Sequence, residues 1–242
     1  MRVSVSVVSA SATHAELDIS GCSCAQINAL RRACMADIRV LAVDETHVYV
    51  NTTGVHDETI GHRLGFVPLR HTTNPLLAGM SVKGACACGS TCPRCEVSLL
   101  VHFVARRPSP CGSPCGSPCG ASSTSDSSTS ELVSMTSDHI RPNRDVAVAP
   151  VSSSGMGHRI LQAAAGSQFT ALCKGRVGVA ADGAKWSAVS LCTFRDVTPA
   201  ADAAETQDRT FRFVVETTGQ LSPAEALHSA LQSLRSRVDP TL

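Results

Sequence analysis

Aromatic side chains are nearly missing. Six Phe, one Tyr and one Trp are spread over 242 residues, too few for the stacked platforms that single-stranded nucleic acids need. Neither charge is in excess: 21 Lys and Arg stand against 20 Asp and Glu, a net charge of +1. Such a chain has no basic surplus to drive sequence-independent binding to phosphates. Long hydrophobic runs are absent too, and nothing approaches the roughly 20 apolar residues that cross a bilayer. The segment "MRVSVSVVSASATHAELD" alternates where a secretory signal would be continuously apolar. Nine His and twelve Cys offer many Ser-His or Cys-His pairs, but none sits in a recognisable nucleophile context. The expectation is a soluble intracellular protein without catalysis of its own. Its thiols would stay reduced, which favours metal ligation over disulfides.

What is present begins with period-two patterning. In "RVSVSVV" Val3, Val5 and Val7 share one face, and in "AELDIS" Ala15, Leu17 and Ile19 do so. Both read as half-buried strands of an antiparallel hairpin. The period then changes: Ile27, Leu30, Cys34, Met35 and Ile38 recur at spacings of three and four, an amphipathic helix interrupted by Arg31 and Arg32. "RVLAVDETHVYVN" reads as extended. "HDETIGHRLGFVP" reads as a short helix, capped by Asp57, stopped by a left-handed Gly65 and closed by Pro68. Its histidines are six apart and do not share a helix face, so they make a poor metal site.

Four cysteines fall within ten residues in "CACGSTCPRC". Cys92 and Cys95 form the usual chelating Cys-x-x-Cys turn, and Cys86 and Cys88 form a tighter pair. Zinc suits this set best. An iron–sulfur cluster or a redox pair remains chemically open. With no His, Asp or Glu ligand and no open position, the site reads as structural. A strand follows at once, with Val97, Leu99, Val101 and Phe103 alternating. Residues 108–138 hold a Cys-Gly-Ser-Pro repeat and a serine tract, read as a disordered linker without a second metal site. "SAVSLCTF" reads as a strand with Val189, Leu191 and Thr193 on one face, and "TFRFVVETTG" as one with Phe211, Phe213 and Val215 inward. The last helix opens with Ser222, Pro223 and Glu225, a capping box. Leu227, Ala230, Leu231, Leu234 and Val238 form its apolar stripe.

This order resembles the alpha-like subunits of cellular RNA polymerases, a group that includes an archaeal counterpart and the bacterial alpha N-terminal domain. "INALRRACMADI" resembles the family's first helix, and "HDETIGHRLGFVPL" its strongest motif. The cysteine spacing resembles that of the third-largest-subunit type of eukaryotic RNA polymerase II. Gly183 stands before "AKW" where the family often has His, and the serine-rich insert departs from the pattern. The resemblance implies an α+β fold of two domains. A dimerisation domain is built from 1–39 and 186–242. A mainly-β domain, 40–185, is inserted between them and carries a structural Zn²⁺ on Cys86, Cys88, Cys92 and Cys95. It also implies a nuclear, noncatalytic subunit of a nucleotidyltransferase complex. Such a subunit pairs with a smaller alpha-like subunit and then binds the two largest and other small subunits. The expected partner-facing residues are Ile27, Leu30, Leu227, Leu231, Leu234 and Val238, with Arg31 and Arg32 turned to a large subunit. The alternatives are the alpha-like subunit shared by polymerases I and III, which generally lacks the complete cysteine set, and a free-standing zinc protein that binds nucleic acid. No membrane or sequence-specific DNA contact is expected.

Overall fold

Alternation along the chain builds two four-stranded antiparallel sheets in the computed structural model, which describes residues 3–71, 80–82, 86, 88, 92, 95–106, 132–142, 148–152, 155–198 and 209–238. The first sheet comes from both ends of the sequence. It has β1 (Ser4–Ala10), β2 (His14–Ser20), β11 (Val189–Asp196) and β12 (Thr210–Thr217), in the order β1-β2-β12-β11. The expected hairpin is there, pairing Val5 with Ile19 and Val7 with Leu17. Helices α1 (Cys24–Ala36) and α3 (Pro223–Val238) touch each other and this sheet.

The second sheet comes from the middle of the chain. It contains β3 (Arg39–Asn51), β5 (Glu96–Val104), β7 (Ile140–Pro142) and β10 (Gln168–Val179), in the order β3-β10-β5-β7. Two small ribbons flank it: β4 (Leu69–His71) with β8 (Val148–Pro150), and β6 (Leu132–Thr136) with β9 (Arg159–Ala164). Helix α2 (Asp57–Gly65) packs Ile60 and Leu64 onto this unit. The fold class is α+β.

Each sheet has its own core, and β3 borders both. Val40 and Ala42 belong to the core with Ile27, Trp186, Phe211 and Phe213. Leu41 and Val43 belong to the one with Leu64, Leu99, Phe103 and Phe169. Trp186 lies flat against the strand beside β3. A Cβ on Gly178 would meet its indole at 2.5 Å, and its Nε1 donates to the Arg176 carbonyl at 3.0 Å. Here glycine in a strand marks a close approach.

Four expectations need correction. β1 is not half-buried: Val3, Val5, Val7 and Val8 are all exposed. The linker reading reaches too far, because residues 132–138 form β6 and a 3-10 turn, with Met135 and Ser137 fully buried. Leu132, Val133 and Met135 carry an apolar signal that the serine tract masked. The three repeat cysteines, Cys111, Cys115 and Cys119, lie outside the described residues. Gly65 is helical and not a left-handed stop. It is buried against β3, where an added Cβ would sit 3.4 Å from the Val43 carbonyl, at the edge of ordinary contact. In β11 a bulge between Val189 and Leu191 reverses the faces, so Leu191 is exposed and Cys192 buried.

Gly178→Ala forces the added methyl into the indole and should cost on the order of 1–3 kcal/mol, as overpacking does. Urea unfolding followed by the fluorescence of the single Trp186 measures this. An unchanged midpoint would mean that the contact is not tight.

Candidate metal centre and subunit interface

The four cysteine thiols converge although their intervening residues lie largely outside the described set. Their sulfurs all lie within 4.8 Å of one another. Cys86 Sγ is 3.9 Å from Cys92 Sγ, and Cys88 Sγ is 3.3 Å from Cys95 Sγ. Both are far beyond the roughly 2.05 Å of a disulfide. A tetrahedral ion with about 2.3 Å sulfur bonds needs edges of about 3.8 Å, so the cluster fits one metal ion with small adjustment. The Cys92 carbonyl accepts from the amides of Cys95 and Glu96 at 3.1 and 3.0 Å. That turn delivers the chain into β5.

The electrostatics of the thiols favour a cation. Hydrogen bonds from Cys88, thiol first and then amide, bring Cys86 down to about 7. Burial, and then the neighbouring thiols, push Cys95 up to about 12. Cys88 is also raised, chiefly by Cys86. One thiolate, Cys86, therefore forms readily, while Cys88 and Cys95 are held back, which a divalent ion would offset. Among the described residues this is the one His, Cys, Asp or Glu cluster suited to a metal. His56, Glu58 and His62 do not assemble into another.

The second candidate surface is apolar. A groove of about 810 Å³ runs between the β1–β2 hairpin and α3, lined by Val7, Ala15, Leu17, Leu227, Leu231 and Arg235, among others. Leu231 is 54% exposed and Val7 67%. The capping box that starts α3 forms as expected: Ser222 Oγ accepts from the Glu225 amide at 3.3 Å, and Glu225 Oε2 accepts from the Ser222 amide at 2.8 Å. The Ser222 amide, and then its hydroxyl, both donate to the Glu225 carboxylate and hold it below its ordinary range.

The expected partner residues do not all face outward. Ile27 and Leu30 are buried in the chain's own core. Leu227 and Leu234 are half-buried against that core, while Leu231 and Val238 are exposed. Arg31 is half-buried and donates to Asn28 Oδ1 at 3.0 Å; Arg32 is exposed. The sequence reading missed the valines of β1 as surface residues. Period-two patterning gives a strand's faces and cannot tell whether its own chain covers them.

Beside the cysteine cluster lies a charged seam. Arg176 reaches Asp44 at 3.1 Å, Glu45 at 2.8 Å and Glu96 at 3.2 Å. Lys185 meets Asp44 at 2.6 Å. The Asp44 and Glu96 carboxylates are almost fully buried. Removing one partner from such a group strands a buried charge.

Comparison with known proteins places these features in context. A sequence model described as the RNA polymerase Rpb3/Rpb11 dimerisation domain matches residues 16–238. The DNA-directed RNA polymerase II subunit RPB3 of Schizosaccharomyces pombe is 28% identical over 73% of this chain and 54% of its own length. A conjugation stage-specific protein of Tetrahymena thermophila is 25% identical over 74% of this chain and 54% of its own. Subunit Rpo3 of the archaeal RNA polymerase of Methanothermobacter thermautotrophicus is 38% identical over 34% of this chain and 30% of its own. The chain thus spans about half the length of the Schizosaccharomyces pombe and Tetrahymena thermophila relatives.

Protein prepared with its thiols protected should carry close to one metal ion per chain by elemental analysis. Cys95→Ser should release it without loss of strand content by circular dichroism. A metal-free preparation with intact thiols would remove the basis for this centre.

Proposed function

Because the chain belongs to the RNA polymerase Rpb3/Rpb11 dimerisation-domain family, we propose that it is a noncatalytic assembly subunit of DNA-directed RNA polymerase II in the nucleus. It pairs with a smaller alpha-like subunit, and the pair then receives the two largest and the other small subunits. Its unit of 1–39 and 186–242 is the dimerising part; 40–185 is the inserted part. The ion at Cys86, Cys88, Cys92 and Cys95 is Zn²⁺ in a structural role. It ties the loop before β5, and its chemistry is to hold thiolates, not to activate a substrate.

One observation carries this reading: the apolar groove between β1 and α3 has no cover within the described chain. Exposed contiguous apolar surface of this kind marks an interaction site. The partner-facing set is accordingly revised toward Val5, Val7, Leu227, Leu231, Leu234 and Val238. Ile27 and Leu30 support it from beneath, and Arg32 is available to a further subunit. The complete cysteine set favours polymerase II over the form shared by polymerases I and III. The balanced charge weighs against a free-standing nucleic-acid binder.

Burying one Leu is worth roughly 1.5–3 kcal/mol. Leu231→Asp should therefore weaken association with the smaller alpha-like subunit at least about tenfold while leaving this chain folded, since the residue is exposed. Co-expression and size-exclusion chromatography read the effect. A wild-type chain that remains a well-folded monomer beside that subunit would sink the assembly role.

A further inference from the structure

The exposed half of "HRLGFVPL" is used neither by the metal centre nor by the groove between β1 and α3. Leu64 packs in the core and Gly65 is buried against β3. Those facts leave His62, Arg63 and Phe66 unexplained. All three face solvent, with Phe66 51% exposed. They line one side of a groove of about 850 Å³, whose other side is β9 with His158 and Arg159. Pro68 is also in the lining. The lining contains two arginines, two histidines and no carboxylate. Among the described residues neither Arg63 nor Arg159 has a carboxylate partner. The site shares no residue with the groove between β1 and α3.

The groove is held in shape. Arg63 Nη1 donates to the Ile160 carbonyl at 2.9 Å, fixing its guanidinium against β9 with other donors left over. His62 sits edge-on to Phe66, with ring centroids 4.9 Å apart. Among the described strands β9 pairs with β6 alone, and its Arg159, Ile160, Leu161 and Gln162 line the groove. A free strand edge takes an extended peptide by main-chain hydrogen bonds. On the other flank of α2, Asp57 and Glu58 line a second groove, which shares His62 and Phe66 with this one and also holds Lys185.

We propose that this groove docks an extended, carboxylate-bearing segment of a second protein partner, distinct from the dimerisation partner. Arg63 and Arg159 pair with its Asp or Glu side chains, and Phe66 and Pro68 take an apolar residue between them. A nucleic acid is disfavoured because Phe66 is the one Phe, Tyr or Trp in the groove, in a chain of balanced charge. The proposal does not require the polymerase assignment.

The test replaces Phe66 with the photocrosslinker p-benzoylphenylalanine in the full chain, purified natively with its bound subunits. The adduct is then sequenced by mass spectrometry. The expected adduct is a peptide from another protein with two or more Asp or Glu within about five residues of the attachment. Arg159→Glu should lower its yield about tenfold with no change in thermal midpoint; Arg159→Lys should largely preserve it. An adduct to nucleic acid, to this chain itself or to a segment without carboxylates would overturn the proposal. So would an absent adduct, or a yield indifferent to Arg159→Glu. Recovery of the smaller alpha-like subunit is scored separately in the same preparation, so failure of the assembly role is told apart from failure of the groove.

Discussion

One strand with two buried faces organises the molecule. β3 sends Val40 and Ala42 to one core and Leu41 and Val43 to the other. A shift of one residue would exchange the two sets and empty both cores of their partners. The surrounding contacts prevent that slip. Trp186 fills the space above Gly178 and donates to the Arg176 carbonyl. The buried Gln220 side chain donates to the Leu41 carbonyl at 3.0 Å, tying the segment before α3 to β3. The two ends of the sequence are thus fastened to the unit that lies between them.

The charged seam acts along the same strand. Asp44 follows Val43 directly and faces Arg176 and Lys185. Glu96 follows Cys95 directly and faces Arg176 from the other side. An ion held at the cysteines would therefore be coupled through one peptide bond to the pairing of β5, β10 and β3. Buried ion pairs seldom add much net stability, but their geometry is specific. Here that geometry links metal loop, sheet and seam.

Much of this was legible in the sequence because the signals are local. The capping box of Ser222 and Glu225, the alternation from Val97 to Phe103 and the four-cysteine cluster all depend on neighbours in the chain. What was not legible depends on distant residues. Gly178 reads as a weak point in a strand until Trp186 is seen against it. Met135 sits beside a serine tract and shows its value only in the second core. Leu191 and Cys192 exchange faces through a bulge that no alternation rule reveals. The valines of β1 present the widest gap: their pattern promises burial, but the described residues supply no cover. Conversely, Ile27 and Leu30 look like interface residues and are taken up internally.

That uncovered face is the centre of the functional account, and hydrogen–deuterium exchange measures it directly. The chain would be compared alone and in complex with the smaller alpha-like subunit. The account predicts slower exchange in residues 4–10 and 223–238 upon binding, with little change in 168–179, which is already sealed between two strands. Unchanged exchange in both segments, or protection confined to other parts of the chain, would contradict it.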